Sequence, residues 1–90
     1  KGRFVFAHIN GVPVVMMQGR VHYYEGYPMT DVVLPVRLMK LMGAEILFLT
    51  NAAGGVNHDY AAGDFMLIRD QIACFVPSPL IGQNLDELGP

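Results

Sequence analysis

Apolar positions gather first in two short β-rich runs, Phe4 to Ile9 and Val12 to Gln18, separated by Asn10-Gly11. That dipeptide accepts positive φ at both central positions of a type I′ turn, so the runs are expected to pair as an antiparallel hairpin. Pro13 has no backbone donor and costs one ladder hydrogen bond, which puts its nitrogen toward an edge or the turn. Val14 to Met17 is apolar on both faces and suits a covered strand. From Gly19 to Pro28 the period breaks, with three glycine or proline residues and four rings. This stretch reads as a structured loop at the carboxyl end of a strand.

Thr30 then offers an N-cap and Asp31 a favourable first-turn charge. Val32, Val33, Val36, Met39, Leu41 and Met42 follow at helical spacing until Gly43, a left-handed stop. Pro35 falls early enough in this helix to cost little or to bend it. Glu45 to Thr50 is a short apolar run immediately afterwards. Strand, helix and strand in that order predict a right-handed parallel crossover and an α/β fold. Asn51-Ala52-Ala53-Gly54-Gly55 would then lie at the carboxyl end of a strand, where open α/β sheets place ligands. Gly63-Asp64 turns the chain into Phe65 to Arg69, a further expected strand. Past Phe75, Pro77, Pro79, Gly82 and Gly89 leave little periodicity.

Composition narrows the setting. The chain has 90 residues, 52% apolar and 16% charged. A domain of this size buries only about 60 to 65% of the surface its unfolded chain exposes, and so apolar a composition suggests a slice of something larger, cut at both ends. The net charge is −2 and the six cationic residues are scattered, so no basic stripe marks a nucleic-acid partner. Val12 to Met17 and Ile46 to Leu49 fall far short of the roughly 18 apolar residues of a membrane span. A single cysteine, Cys74, and the lack of an apolar leader and of an Asn-x-Ser/Thr acceptor fit a reducing cytoplasmic home.

Gly19-Arg20-Val21-His22-Tyr23-Tyr24 alternates a fixed positive charge, an imidazole and a phenol. If the backbone stays extended, Arg20, His22 and Tyr24 project to one side. A guanidinium fork converging with an imidazole suits a bound oxyanion. The same residues also fit a loop whose arginine caps carbonyls and whose histidine is a half-buried ring. Asn51 to Gly55 is a second candidate, because small residues let backbone N–H groups approach an anion; it also fits a tight turn that needs glycine for positive φ. It is neither a Walker loop nor a Gly-x-Gly-x-x-Gly fingerprint. His8, His58 and Cys74 match no zinc spacing, so no metal is expected. Met16, Met17, Met39 and Met42 read as core filling. Glu25, Asp64 and Asp70 can serve acid-base chemistry, or act as caps, turn residues or ion-pair partners.

Met16 to Pro28 (MMQGRVHYYEGYP), Thr50 to Gly55 (TNAAGG) and Gly63 to Asp70 (GDFMLIRD) together resemble, in order and separation, the trimeric purine nucleoside phosphorylase family. Ile81-Gly82-Gln83-Asn84 is similar to that family's Gly-Gln-Asn loop. The resemblance runs almost end to end. It implies a fragment of a mixed β-sheet sandwiched by helices, one internal part of a single domain over residues 1–90. It implies inorganic phosphate as co-substrate, a purine nucleoside as partner, a homotrimer, a place in purine salvage and no other cofactor. Arg20 and His22 would bind phosphate by side chain and Ala52 by its backbone N–H. Tyr24 would hold ribose, and the backbone of Ala53 and Gly54 would line the base pocket. The family's phosphate-binding serines, the histidine expected just before Lys1 and the purine-gripping Glu and Asn are not in this stretch. No residue here is therefore assigned as catalytic, and the fragment alone is expected to be inactive. The Thr50 to Gly54 letters resemble the inosine and guanosine branch more than the methylthioadenosine branch. A silent phosphate-binding α/β module is the alternative from another class.

Overall fold

The computed structural model describes residues 2–89. Two strands, β1 (Arg3–Ile9) and β2 (Val12–Gln18), pair antiparallel with Ile9 opposite Val12 and Arg3 opposite Gln18. Asn10 and Gly11 take φ of 49° and 79°, the doubly positive turn that matches the right-handed twist of the strands. The pair flanking a two-residue turn is hydrogen-bonded and the next is not. Pro13, opposite His8, thus turns its nitrogen to the open edge, and the hairpin loses no bond to it. Arg3 Nε donates to Gln18 Oε1 at 2.7 Å and ties the open end of the hairpin.

The helix α1 spans Met29–Leu41. Its cap is Pro28 rather than Thr30. With φ −62° and ψ 150°, Pro28 is extended while its carbonyl accepts the N–H groups of Asp31 at 3.0 Å and Val32 at 3.2 Å. Thr30 is thereby drawn into the first turn. Pro35 is the seventh residue of a helix that continues through it, and it leaves the Asp31 carbonyl without its donor four residues on. The stop at Gly43 is as expected. Its φ is 96°, its N–H reaches the Lys40 carbonyl at 3.0 Å, and the Ala44 N–H reaches Met39 at 3.1 Å. These two bonds are the Schellman closure.

Beyond Ala44 the expected strands do not form. Residues 45–50 and 65–69 have no ladder partner among the described residues, and Ile46 and Phe48 stand 87% and 84% exposed. A strand needs a neighbour for its N–H and C=O groups and a face to cover its side chains. The described residues supply neither, so the parallel crossover is absent. Of the four methionines read as core, Met39 is buried and Met17 half-buried, while Met16 and Met42 are exposed. A short 3-10 turn, Asp86–Leu88, returns against α1, and Arg37 Nη2 donates to the Pro79 carbonyl at 3.1 Å. Among the described residues, no helix is long and apolar enough to cross a membrane.

Candidate functional site

Gly19 ends β2 and sets the direction of everything after it. Its φ is 90°, and a Cβ there would lie 3.2 Å from the Gly2 Cα. Side-chain-bearing residues are strained in that backbone region and meet the opposing chain. Glycine allows the chain to leave the hairpin at once and carry Arg20 away from the sheet. Arg20 Nη2 then donates to the Thr50 carbonyl, 30 residues on. The Arg20 to Tyr24 segment and the Thr50 to Gly55 segment, separate in sequence, are thus brought together. The carbonyl-capping role open to Arg20 from its sequence is what one N–H of its fork performs. A guanidinium carries five donors in all, so that single bond leaves the rest of the fork available.

His22 does not continue an extended strand. A 3-10 turn over Tyr23–Glu25 follows it, closed by Glu25 N–H to the His22 carbonyl at 3.1 Å and Gly26 N–H to Tyr23 at 3.0 Å. The strict alternation expected for Arg20, His22 and Tyr24 is lost, because a turn replaces the strand period of two. His22 and Tyr24 nevertheless share a side, their rings stacked with centroids 4.8 Å apart at 21°. Arg20 is not part of that stack and reaches the Thr50 carbonyl.

The turn also sets Glu25 beneath His22. Glu25 Oε1 lies 3.0 Å from His22 Nδ1, and Oε2 accepts the His22 backbone N–H at 3.3 Å. These contacts hold the Glu25 carboxyl below the usual carboxylate range, through the side-chain bond first and the backbone bond second. The pair is about two-fifths exposed on each side, so it orients the ring more than it stabilises the chain. With Nδ1 engaged by the carboxylate, Nε2 is the ring nitrogen left without a hydrogen-bond partner among the described residues. Of the roles open to Glu25 in the sequence, it takes that of ion-pair partner. The i,i+3 spacing of His22 and Glu25 around a tight turn is the signal that points to it.

Ala52, Ala53 and Gly54 are exposed and without regular structure. Neither Gly54 nor Gly55 has positive φ, so the tight-turn requirement for glycine does not hold here. A Cβ on Gly54 would meet nothing within 4 Å, whereas one on Gly55 would touch the Tyr60 ring at 3.4 Å. What glycine supplies at position 54 is open space beside the backbone. Asp64 closes the turn at 62–63, accepting the Ala61 N–H at 2.9 Å, whereas Asp70 accepts the N–H of its neighbour Gln71 at 2.8 Å in a stretch without regular structure. Among the described residues no three His, Cys, Asp or Glu side chains gather as a metal site, and Cys74 is exposed and unpaired.

Comparison with known proteins bears on the whole stretch. The family profile described as Phosphorylase superfamily matches residues 1–89. Purine nucleoside phosphorylase 1 of Bacillus subtilis is 51% identical over 88 residues, 98% of this chain and 32% of that protein. Purine nucleoside phosphorylase of Bos taurus is 50% identical over 91 residues, again 98% of this chain and 32% of its own length. That of Saccharomyces cerevisiae is 44% identical over 95 residues. The chain therefore spans about a third of the length of the curated relatives it matches. No solved structure matches the described fold. With a profile that covers all but one of its residues, the chain belongs to the phosphorylase superfamily.

Proposed function

We propose that this chain is one internal stretch of a single purine nucleoside phosphorylase domain, which cleaves purine nucleosides with inorganic phosphate to a purine base and ribose 1-phosphate. The observation that carries the reading is the bond from Arg20 to Thr50, which joins two segments suited to anions on separate grounds. Half of the chain's residues are shared with relatives named purine nucleoside phosphorylase, and this supports the substrate class.

Phosphorolysis displaces the base from C1′ through an oxocarbenium-like transition state, with phosphate in the place water takes in glycoside hydrolysis. The C1′–N bond breaks as a C1′–O bond to phosphate forms, and the bonding pair leaves with the purine. No covalent enzyme intermediate is required. The protein's tasks are to hold the dianion against the sugar and to stabilise charge on the leaving base. This stretch serves the first. Arg20 supplies a fixed charge and the free part of its fork. His22, oriented from behind by Glu25, presents its other ring nitrogen, and the Ala52 N–H adds a donor without charge. Tyr24, 82% exposed and stacked on His22, holds ribose through its hydroxyl. The backbone of Ala53 and Gly54, with open space beside Gly54, faces the base. Phosphate is the co-substrate and the complete assembly is a homotrimer acting in purine salvage in the cytoplasm.

The test is to incubate the full-length protein with inosine, guanosine or methylthioadenosine in phosphate and to identify the sugar product. Ribose 1-phosphate from inosine and guanosine is the expected result. Wide preference for methylthioadenosine would move the chain to that branch, and phosphate binding without turnover would make it a silent anion-binding module.

A further inference from the structure

The Thr50 to Gly55 segment has no regular structure. Among the described residues, one hydrogen bond joins it to a distant element, and Arg20 donates it to the Thr50 carbonyl. The other bond within the segment, Asn51 Nδ2 to the Ala52 carbonyl at 3.5 Å, is local. A peptide unit is planar, so fixing the Thr50 carbonyl fixes the Asn51 N–H that points the opposite way. Ala52 lies only one residue further, with its Cα within about 7.6 Å of the Thr50 Cα. Electrostatics favours the same bond. A carbonyl oxygen beside an anion site repels the ligand, and a guanidinium that engages this oxygen removes the conflict while its remaining donors stay free.

We propose that Arg20 is a positioning residue for the Asn51 to Gly54 backbone as well as a phosphate ligand, so that one guanidinium sets the geometry of both the anion and base sides. This rests on the phosphorylase reading above. A residue that only binds phosphate matters only when phosphate is present. A residue that also holds the 51–54 backbone matters to base binding without it.

The experiment uses the full-length enzyme in phosphate-free buffer, wild type against Arg20→Ala and Arg20→Lys. Two readouts are taken: backbone amide NMR order parameters over residues 51–55, with α1 as internal control, and the affinity for hypoxanthine alone. In Arg20→Ala, the order parameters over 51–55 fall with those of α1 unchanged, and hypoxanthine binding weakens at least about fivefold. Lysine has a point charge and no fork, so Arg20→Lys retains more of the phosphate affinity than of the base affinity. If phosphate KM rises in both variants while the 51–55 order parameters and hypoxanthine binding stay at wild-type values, the positioning role is overturned. Should Arg20→Ala also loosen α1, the same two readouts on Arg20→Lys decide. Failure of the phosphorylase reading would show separately, as wild-type enzyme that does not turn over with phosphate; the order parameters would still judge the clamp.

Discussion

Gly19→Ala tests how the hairpin aims the site. The native φ at position 19 is 90°, and an added Cβ would stand 3.2 Å from the Gly2 Cα. A left-handed conformation costs a non-glycine residue about 1 to 2 kcal/mol. The close approach is to backbone, so a few tenths of an ångström of movement must come from the strand ends. The expected loss is therefore about 1.5 to 2.5 kcal/mol, the strain plus a small packing cost. In domains of about 150 to 250 residues a loss of this size lowers Tm by about 3 to 10 °C. If the backbone instead relaxes to negative φ, Arg20 is swung away from Thr50 and stability is partly recovered at the cost of activity. Melting of full-length enzyme by calorimetry, with phosphate titrated against a saturating nucleoside below the melting range, separates the two responses. Either Tm falls, or the phosphate KM rises with Tm nearly kept. A variant with wild-type Tm and wild-type phosphate KM would refute the role given to Gly19.

Arg20→Ala removes a charged, forked donor, and should cost about 2 to 4 kcal/mol of transition-state stabilisation, roughly 30- to 900-fold in kcat/KM for phosphate; an unchanged phosphate dependence in steady-state kinetics would exclude it as a ligand. Gly54→Ala has no positive φ to strain and no neighbour within 4 Å, so denaturant midpoints should show less than about 0.5 kcal/mol of change while nucleoside KM rises; a large loss of stability would mean the space is already filled. The Glu25 carboxyl, held low by His22, contributes at pH values above its unfolded pKa, and that contribution is lost as pH falls through the lower folded value. A carboxyl-carbon NMR titration of Glu25 should place its midpoint below the ordinary carboxylate range, and an ordinary midpoint would mean the pair does not form in solution.

Local chemistry was the legible part of this chain. Asn10-Gly11 specified its turn, and Gly43 its helix stop, because each answers to backbone sterics within a few residues. Thr30 misled because the helix starts before it: Pro28, at ψ 150°, already offers its carbonyl to the Asp31 and Val32 N–H groups, and Thr30 falls inside the first turn. The runs at 45–50 and 65–69 carried the right letters for strands, yet strand formation depends on partners that no local pattern contains. In the site, Arg20 and His22 stood out by residue type, and Glu25 was available from its spacing to His22. The Thr50 carbonyl was not legible at all, since a backbone acceptor 30 residues away leaves no mark in the sequence.

The most direct measurement of the central claim is release of hypoxanthine from inosine by the full-length protein, with and without phosphate. Release that requires phosphate, and saturates with it, is the predicted result. Equal release in its absence would make the protein a hydrolase and contradict the assignment of Arg20, His22 and Ala52 to a phosphate co-substrate.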